Sequence, residues 1–411
     1  MPQPVDLGEL NLNMYDEILP SEMEELRQQA EDLRGLRILH INATPYGGGV
    51  SELLRSLVPL ERALGLDSNW QVITADKSFF RVTKAIHNAL QGAPYKLTKS
   101  DRETYLAYNS LNARDITDDY DVIIVHDPQP AAICSLRSDI KAKWIWRCHI
   151  DTSAPNSEAW EFLYPYVSKH DAKVFTMPDF IPKGLDGKIE IIAPAIDPLS
   201  PKNTTLPEHM ARQLINWIGV PKDGPLICQV SRFDPWKDPL GVIEAYHLIK
   251  QELPNVHLAL IGSMALDDPE GWEIYQTVVD VAKKDRNLHV FTNLIGVGDL
   301  QVNAFQRLAD VVIQKSIREG FGLVISETLW KGTPVVAGRA GGIPSQMAGG
   351  GGFLVNSVEE TAEKTLILIN DRKFADLEGS RGREYVRKNF LVTRLVRDHL
   401  QLMASLLRVA V

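Results

Sequence analysis

Short apolar runs alternate with amphipathic helical stretches along almost the whole chain. No other feature restricts the fold as much. In the first half, strands are predicted at Arg37–Asn42, Val122–His126, Trp144–His149, Lys173–Met177 and Glu190–Ala193. Helical patterns lie between them, such as Val50–Leu64, where leucines recur at helical spacing. A second series starts near Pro225, with strands at Leu226–Ser231, His257–Gly262, His289–Asn293, Val311–Gln314 and Pro334–Ala337. Its helices fall at Pro239–Lys250, Trp272–Lys284 and Leu323–Trp330. A strand that reads as a continuous apolar run is covered on both faces, and parallel neighbours need a crossover helix. Two such series predict an α/β protein of two doubly wound Rossmann-like domains facing a central cleft.

Pro194, Pro198 and Pro201 punctuate a polar stretch over Ala195–Asn203, which places the domain boundary there. The expected division is 1–200 for the first domain, 201–380 for the second, and 381–411 for a helical segment crossing back onto the first. Arg381–Leu407 reads as a single amphipathic helix, and Gly349–Gly352 as a loose surface hairpin.

Composition narrows the partners. The chain has 44 Lys+Arg against 53 Asp+Glu, a net charge of −9, which argues against binding nucleic acid or an anionic membrane by bulk electrostatics. Phosphate, if handled at all, must meet a few local cations and backbone dipoles. Cys134, Cys148 and Cys228 cannot close a disulfide framework, and no Lys or Arg precedes Arg27. The expectation is a cytoplasmic chain without a signal peptide or membrane span.

Ligands of open parallel sheets bind at the carboxyl ends of strands, so the strand-to-helix turns carry the chemistry. The first turn, after Asn42, runs through Gly47, Gly48 and Gly49, where backbone N–H groups can approach a phosphate at a helix start. It is not a dinucleotide fingerprint. The second holds Ser231, Arg232 and Lys237, two cations able to close over a diphosphate. The third runs from Gln314 through Glu319, Gly320, Phe321 and Gly322 into a helix carrying Glu327. Amides at that helix start suit phosphate, whereas the Glu319 and Glu327 carboxylates suit sugar hydroxyls. The Asp119–Asp121 pair spells a divalent-cation pattern but sits at a strand's entry, so no metal site is assigned. His87, His126, His170 and His247 read as structural histidines.

Glu319 and Glu327, seven residues between them, resemble the paired-glutamate signature of retaining, nucleotide-sugar-dependent glycosyltransferases built from two Rossmann-like domains (GT-B type). Ser231, Arg232, Lys237 and the glycine loop at Gly47–Gly49 extend the resemblance over the whole chain. Within that superfamily the strings His126–Pro130, Trp146–Asp151 and Asp267–Trp272 are similar to the trehalose glycosyltransferring synthases; fungal-type retaining trehalose phosphorylases share much of the pattern. The resemblance implies that Arg232 and Lys237 hold the donor diphosphate with the amides of Gly322 and Leu323 and the Gly48–Gly49 loop. Glu319 would bind donor glucose, Glu327 the ribose, and the base would lie at Asn293–Ile295. His149 would stand near the reaction centre, with Asn42, Asp127, Arg147 and Asp151 around the acceptor. It implies transfer from nucleoside-diphosphate glucose to glucose, giving α,α-trehalose, by front-face substitution rather than a covalent intermediate. The rival readings are a trehalose phosphorylase using glucose 1-phosphate and a non-catalytic nucleotide-sugar sensor. No tightly bound cofactor is expected, a cation such as Mg accompanying the nucleotide at most, and a homodimer is implied.

Overall fold

The alternation is realised as two separate parallel sheets in a computed structural model that describes residues 2–46, 48–264 and 269–407. Gly47 and the first two residues of the Asp267–Trp272 string, named above, lie outside the described residues. Residues up to Pro194, together with the helix Val392–Leu407, form one unit, and Ala195–Leu391 the other.

The first unit contains β1 (Gln3–Pro4), β2 (Arg37–Asn42), β3 (Asp67–Val72), β4 (Val122–His126), β5 (Lys143–Arg147), β6 (Ala172–Phe175) and β7 (Lys188–Ile191). Their order is β1-β3-β2-β4-β5-β6-β7, parallel throughout except for β1. Pro4 has no N–H to donate, and the sheet edge is where that costs least. The strand β3 escaped the sequence reading because only Trp70 and Val72 interrupt its polar residues. Both are buried, together with Ser68, and the alternation marks a strand near the edge.

The second unit contains β8 (Leu226–Val230), β9 (His257–Gly262), β10 (Leu288–Thr292), β11 (Val311–Gln314), β12 (Val335–Gly338) and β13 (Gly352–Val355). They lie in the order β10-β9-β8-β11-β12-β13, all parallel. The predicted strands are all present, with ends displaced by a residue or two. The helix Gly49–Ala63 buries Leu53, Leu54, Leu57, Val58 and Leu60, each contributing about 1.5–3 kcal/mol by burial. Among the described residues no helix is long and apolar enough to cross a membrane.

Two expectations are corrected. The C-terminal stretch is two helices, Arg372–Asn389 and Val392–Leu407, interrupted at Phe390 and Leu391. At the break the Ile196 N–H donates to the Phe390 carbonyl (2.8 Å), which draws the chain out of helical register. In the second helix Arg394 donates to the carbonyls of Ala193 (2.9 Å) and Pro194 (3.0 Å), tying that helix to the first unit. The glycine run is not a loose hairpin either. The N–H groups of Gly351 and Gly352 donate to Glu378 Oε2, and a Cβ on Gly349 would stand 2.4 Å from the Tyr385 ring. The absence of side chains there serves close packing, not freedom.

Candidate active site

Doubly wound sheets open a crevice where the strand order reverses. In the second unit that point lies between β8 and β11, and the loops after these strands carry the second and third predicted motifs. The Lys237 ammonium lies 2.6 Å from Glu319 Oε2, with side-chain exposures of only 15% and 10%. Ser316 Oγ donates to the same carboxylate oxygen (3.2 Å) and accepts from Gln314 Nε2 (3.2 Å). Gln229 Nε2 binds the Lys237 carbonyl at 2.8 Å, so a buried side chain from β8 seats the cation's own backbone. Arg232 stands beside it, its guanidinium 2.8 Å from Asp234 Oδ2 and mostly exposed.

The turn beyond Glu319 is held as firmly. Gly322, at φ 82°, caps the helix Leu323–Trp330 without any side-chain acceptor, leaving first-turn amides to be met from outside the helix. Gln346, fully buried, donates to the Phe321 carbonyl (2.5 Å) and accepts from Ser326 Oγ (2.6 Å). It thereby ties the Gly-Phe-Gly turn to the helix it opens. Glu327, buried in that helix, accepts from Gln306 Nε2 at 3.2 Å. Lys331, one turn on, bonds the Glu327 carbonyl (2.8 Å), and burial pushes its ammonium down to about 7. At the end of β10, Asn293 spans the Met264 backbone through both side-chain ends (2.8 and 3.3 Å), while Leu294 and Ile295 remain exposed.

In the first unit the order reverses at β2, flanked by β3 and β4. Asn42, closing β2, accepts from Trp70 Nε1 (2.8 Å) and donates to the Thr44 carbonyl (2.8 Å), so it shapes the glycine loop's entry. Gly48 and Gly49 are exposed, Gly48 at φ 92° as the cap of its helix. After β4, Asp127 adopts φ 64°, unusual for a residue with a side chain. Its Oδ1 accepts the His149 N–H (2.8 Å), and its own N–H reaches the Arg147 carbonyl (2.8 Å), fastening the β4 and β5 loops together. The part-buried His149 imidazole bonds His126 at 3.0 Å. Asp151 Oδ1 caps the Ser153 N–H at 2.9 Å.

Arg147 was expected beside the acceptor, but its side chain is buried. Ile124, Val174, His399, Leu402 and Met403 surround it, and burial pushes its guanidinium down to about 10. Asp121, in the cation-like pair, is bound to Arg37 (2.7 Å) at the entry end of β4. Sequence reasoning gave no role to Gln229, Gln314, Ser316 or Gln346, since a buried amide or hydroxyl has no motif of its own. It also missed what His126 does. The signal was present, because His40 on β2 and His126 on the adjacent β4 both interrupt apolar strands.

Burial raises the Asp127 carboxyl to about 6. An acid whose folded value exceeds its unfolded value of about 3.9 contributes stability that is complete below that value and lost as pH rises through about 6. The displacement of roughly two units corresponds to about 3 kcal/mol. Asp127→Asn keeps an acceptor for His149 and tolerates the positive φ. Urea denaturation should therefore show the variant gaining about 3 kcal/mol on the wild type between about pH 4 and pH 7.

A family model described as trehalose synthase, N-terminal domain, matches residues 40–182, and one described as glycosyl transferases group 1 matches residues 212–385. The α,α-trehalose 6-phosphate synthase of Burkholderia multivorans superposes with a TM-score of 0.69 at 15% identity, covering 91% of this chain and 99% of that one. Fold and family models together define a glycosyltransferase of the GT-B type, an enzyme that transfers a hexose. Trehalose synthase from Rubrobacter xylanophilus is 50% identical over the full length of both chains, and that from Pyrococcus horikoshii 44% identical over 97% of each. The chain belongs to the trehalose synthase family, and its chemistry is trehalose-related glycosyl transfer.

Proposed function

We propose that the protein transfers glucose from a nucleoside-diphosphate glucose to free glucose with retention of configuration, forming α,α-trehalose. The observation that carries this reading is the Lys237–Glu319 pair, a cation and a carboxylate 2.6 Å apart beside the start of the helix Leu323–Trp330. A cation and helix amides suit the phosphate on the anomeric carbon. A carboxylate within reach of that cation suits hydroxyls of the sugar the phosphate carries, and each partner satisfies the other until the donor arrives. Arg232 reaches the more distant phosphate, Glu327 the ribose, and the Asn293–Ile295 backbone the base. A divalent cation enters only with the nucleotide.

On the first unit, the Gly48–Gly49 amides, His149, Asp127 and Asp151 are the groups assigned to sugar hydroxyls. Asn42, whose side-chain amide is bonded to Trp70 and Thr44, and the buried Arg147, whose Nη1 donates to the Phe175 carbonyl, support them from behind. No covalent intermediate is required. The leaving diphosphate oxygen takes the proton of the attacking glucose hydroxyl on the same face as the breaking bond, and Lys237 with the helix amides stabilises the charge that develops on it.

The test is product analysis. Purified protein is supplied with glucose and either a nucleoside-diphosphate glucose or glucose 1-phosphate, and trehalose and free nucleotide are resolved. Trehalose with stoichiometric nucleotide supports the reading. Trehalose from glucose 1-phosphate alone makes the protein a phosphorylase, and donor binding without product makes it a sensor.

A further inference from the structure

Glu61, on the helix Gly49–Ala63, is completely buried, as are His40 on β2 and His126 on β4. Glu61 Oε2 lies 2.5 Å from Ser68 Oγ and 3.1 Å from His40 Nε2. His40 Nδ1 is 3.0 Å from His126 Nε2, and His126 Nδ1 is 3.0 Å from His149 Nε2. Successive rings stack with centroids 5.3 Å apart. An unbroken line of hydrogen bonds thus runs from a buried carboxylate to the part-buried imidazole following β5. Nothing in the transfer chemistry above uses its first three members.

The direction of the line follows from counting protons. Burial holds His126 and His149 well below the usual histidine range, so these rings are neutral and carry one N–H each. The Glu61 oxygen is the acceptor at this end of the line, since the Ser68 hydroxyl donates to it. A neutral His40 spends its one proton on Glu61, and its Nδ1 then accepts from His126 Nε2–H. His126 Nδ1 in turn accepts from His149 Nε2–H. One proton per ring fills three links and leaves none for His149 Nδ1.

We infer that Glu61, His40 and His126 are positioning residues that hold His149 as its Nε2–H tautomer, so that its Nδ1 lone pair accepts a hydrogen bond from a sugar hydroxyl. The hydroxyl rests on the proposed function; the tautomer does not. The other titratable groups acting on the line are His399, whose Nδ1 stands 4.0 Å from Glu61 Oε1 and which burial also keeps neutral, and Arg147, whose charge adds to burial in lowering His126 and His149.

The full-length chain, labelled with 15N-histidine, reports the tautomer directly in long-range 1H–15N spectra. The His149 signal is identified by its loss in His149→Ala. The wild type should show Nε2–H at His149. In Glu61→Gln the amide can donate to His40 Nε2 and every link can reverse. His149 should then shift towards Nδ1–H, with kcat lower by about 10- to 100-fold and the donor KM little changed, as expected when a donor is turned against a donor. An Nδ1–H tautomer in the wild type overturns the inference, and that spectrum decides the point even where Glu61→Gln does not fold. An unchanged tautomer and kcat in a folded Glu61→Gln overturns it too. Wild-type turnover in His149→Ala instead overturns the assignment of a sugar hydroxyl to Nδ1, leaving the tautomer result standing on its own.

Discussion

Lys237→Ala should lower turnover by about 10²- to 10³-fold, the scale seen when one preorganised donor to a developing negative charge is removed. Lys237 is nearly enclosed, with its carbonyl held by Gln229 and its ammonium 2.6 Å from Glu319, so no exposed neighbour can swing in to replace it. Arg232 cannot compensate, because its guanidinium is mostly exposed and engaged with Asp234. The fold should survive the change. Glu319 retains the Ser316 hydroxyl as a donor, and the remaining charge lies at a strand end, not in the core. The measurement is steady-state turnover with saturating donor and acceptor, alongside thermal denaturation. A folded Lys237→Ala protein with near-normal kcat would refute the placement of the donor phosphate.

Gly341→Ala should lower kcat/KM by about 10²-fold without touching any ligand-binding side chain, the cost expected when reacting groups are misplaced by about 1 Å. Gly341 sits at φ 48°, and a Cβ there would stand 1.9 Å from the Glu319 carbonyl oxygen and 2.6 Å from that of Gly320. Both are backbone atoms, so the conflict can be relieved only by moving the turn that carries Glu319. The control is Gly332→Ala, at φ 78° with nothing within 4 Å of the added carbon. It should show the backbone penalty of about 1–2 kcal/mol in unfolding free energy and little change in catalysis. Equal losses of activity in the two variants would show that backbone strain, and not displacement of Glu319, is responsible.

How much of this was legible beforehand depended on the range of the interaction involved. Continuous apolar strands such as Val122–His126 and Val311–Gln314 are read from neighbouring residues alone, because burial on both faces demands it. The same holds for the helix start at Leu323, where the Gly-Phe-Gly turn is local. By contrast β3 is mostly polar and becomes a strand only by lying between β2 and β1. Gly349–Gly352 looked flexible until Glu378 and Tyr385, from a distant helix, closed on it.

The candidate site divides along the same line. Residue types and spacing were enough to single out Lys237 and Glu319, because each of these turns joins a strand to a helix within a few residues, and ligands collect at strand ends. His149 was singled out only by the family resemblance. Sequence alone could not say that Lys237 and Glu319, 82 positions apart, meet as an ion pair. Nor could it show that Arg147 is walled in by a helix 250 residues later. It gave no hint that His40, His126 and Glu61 line up behind His149. Backbone topology brings those strands side by side, and only side-chain packing across them decides which polar groups face a ligand and which face each other.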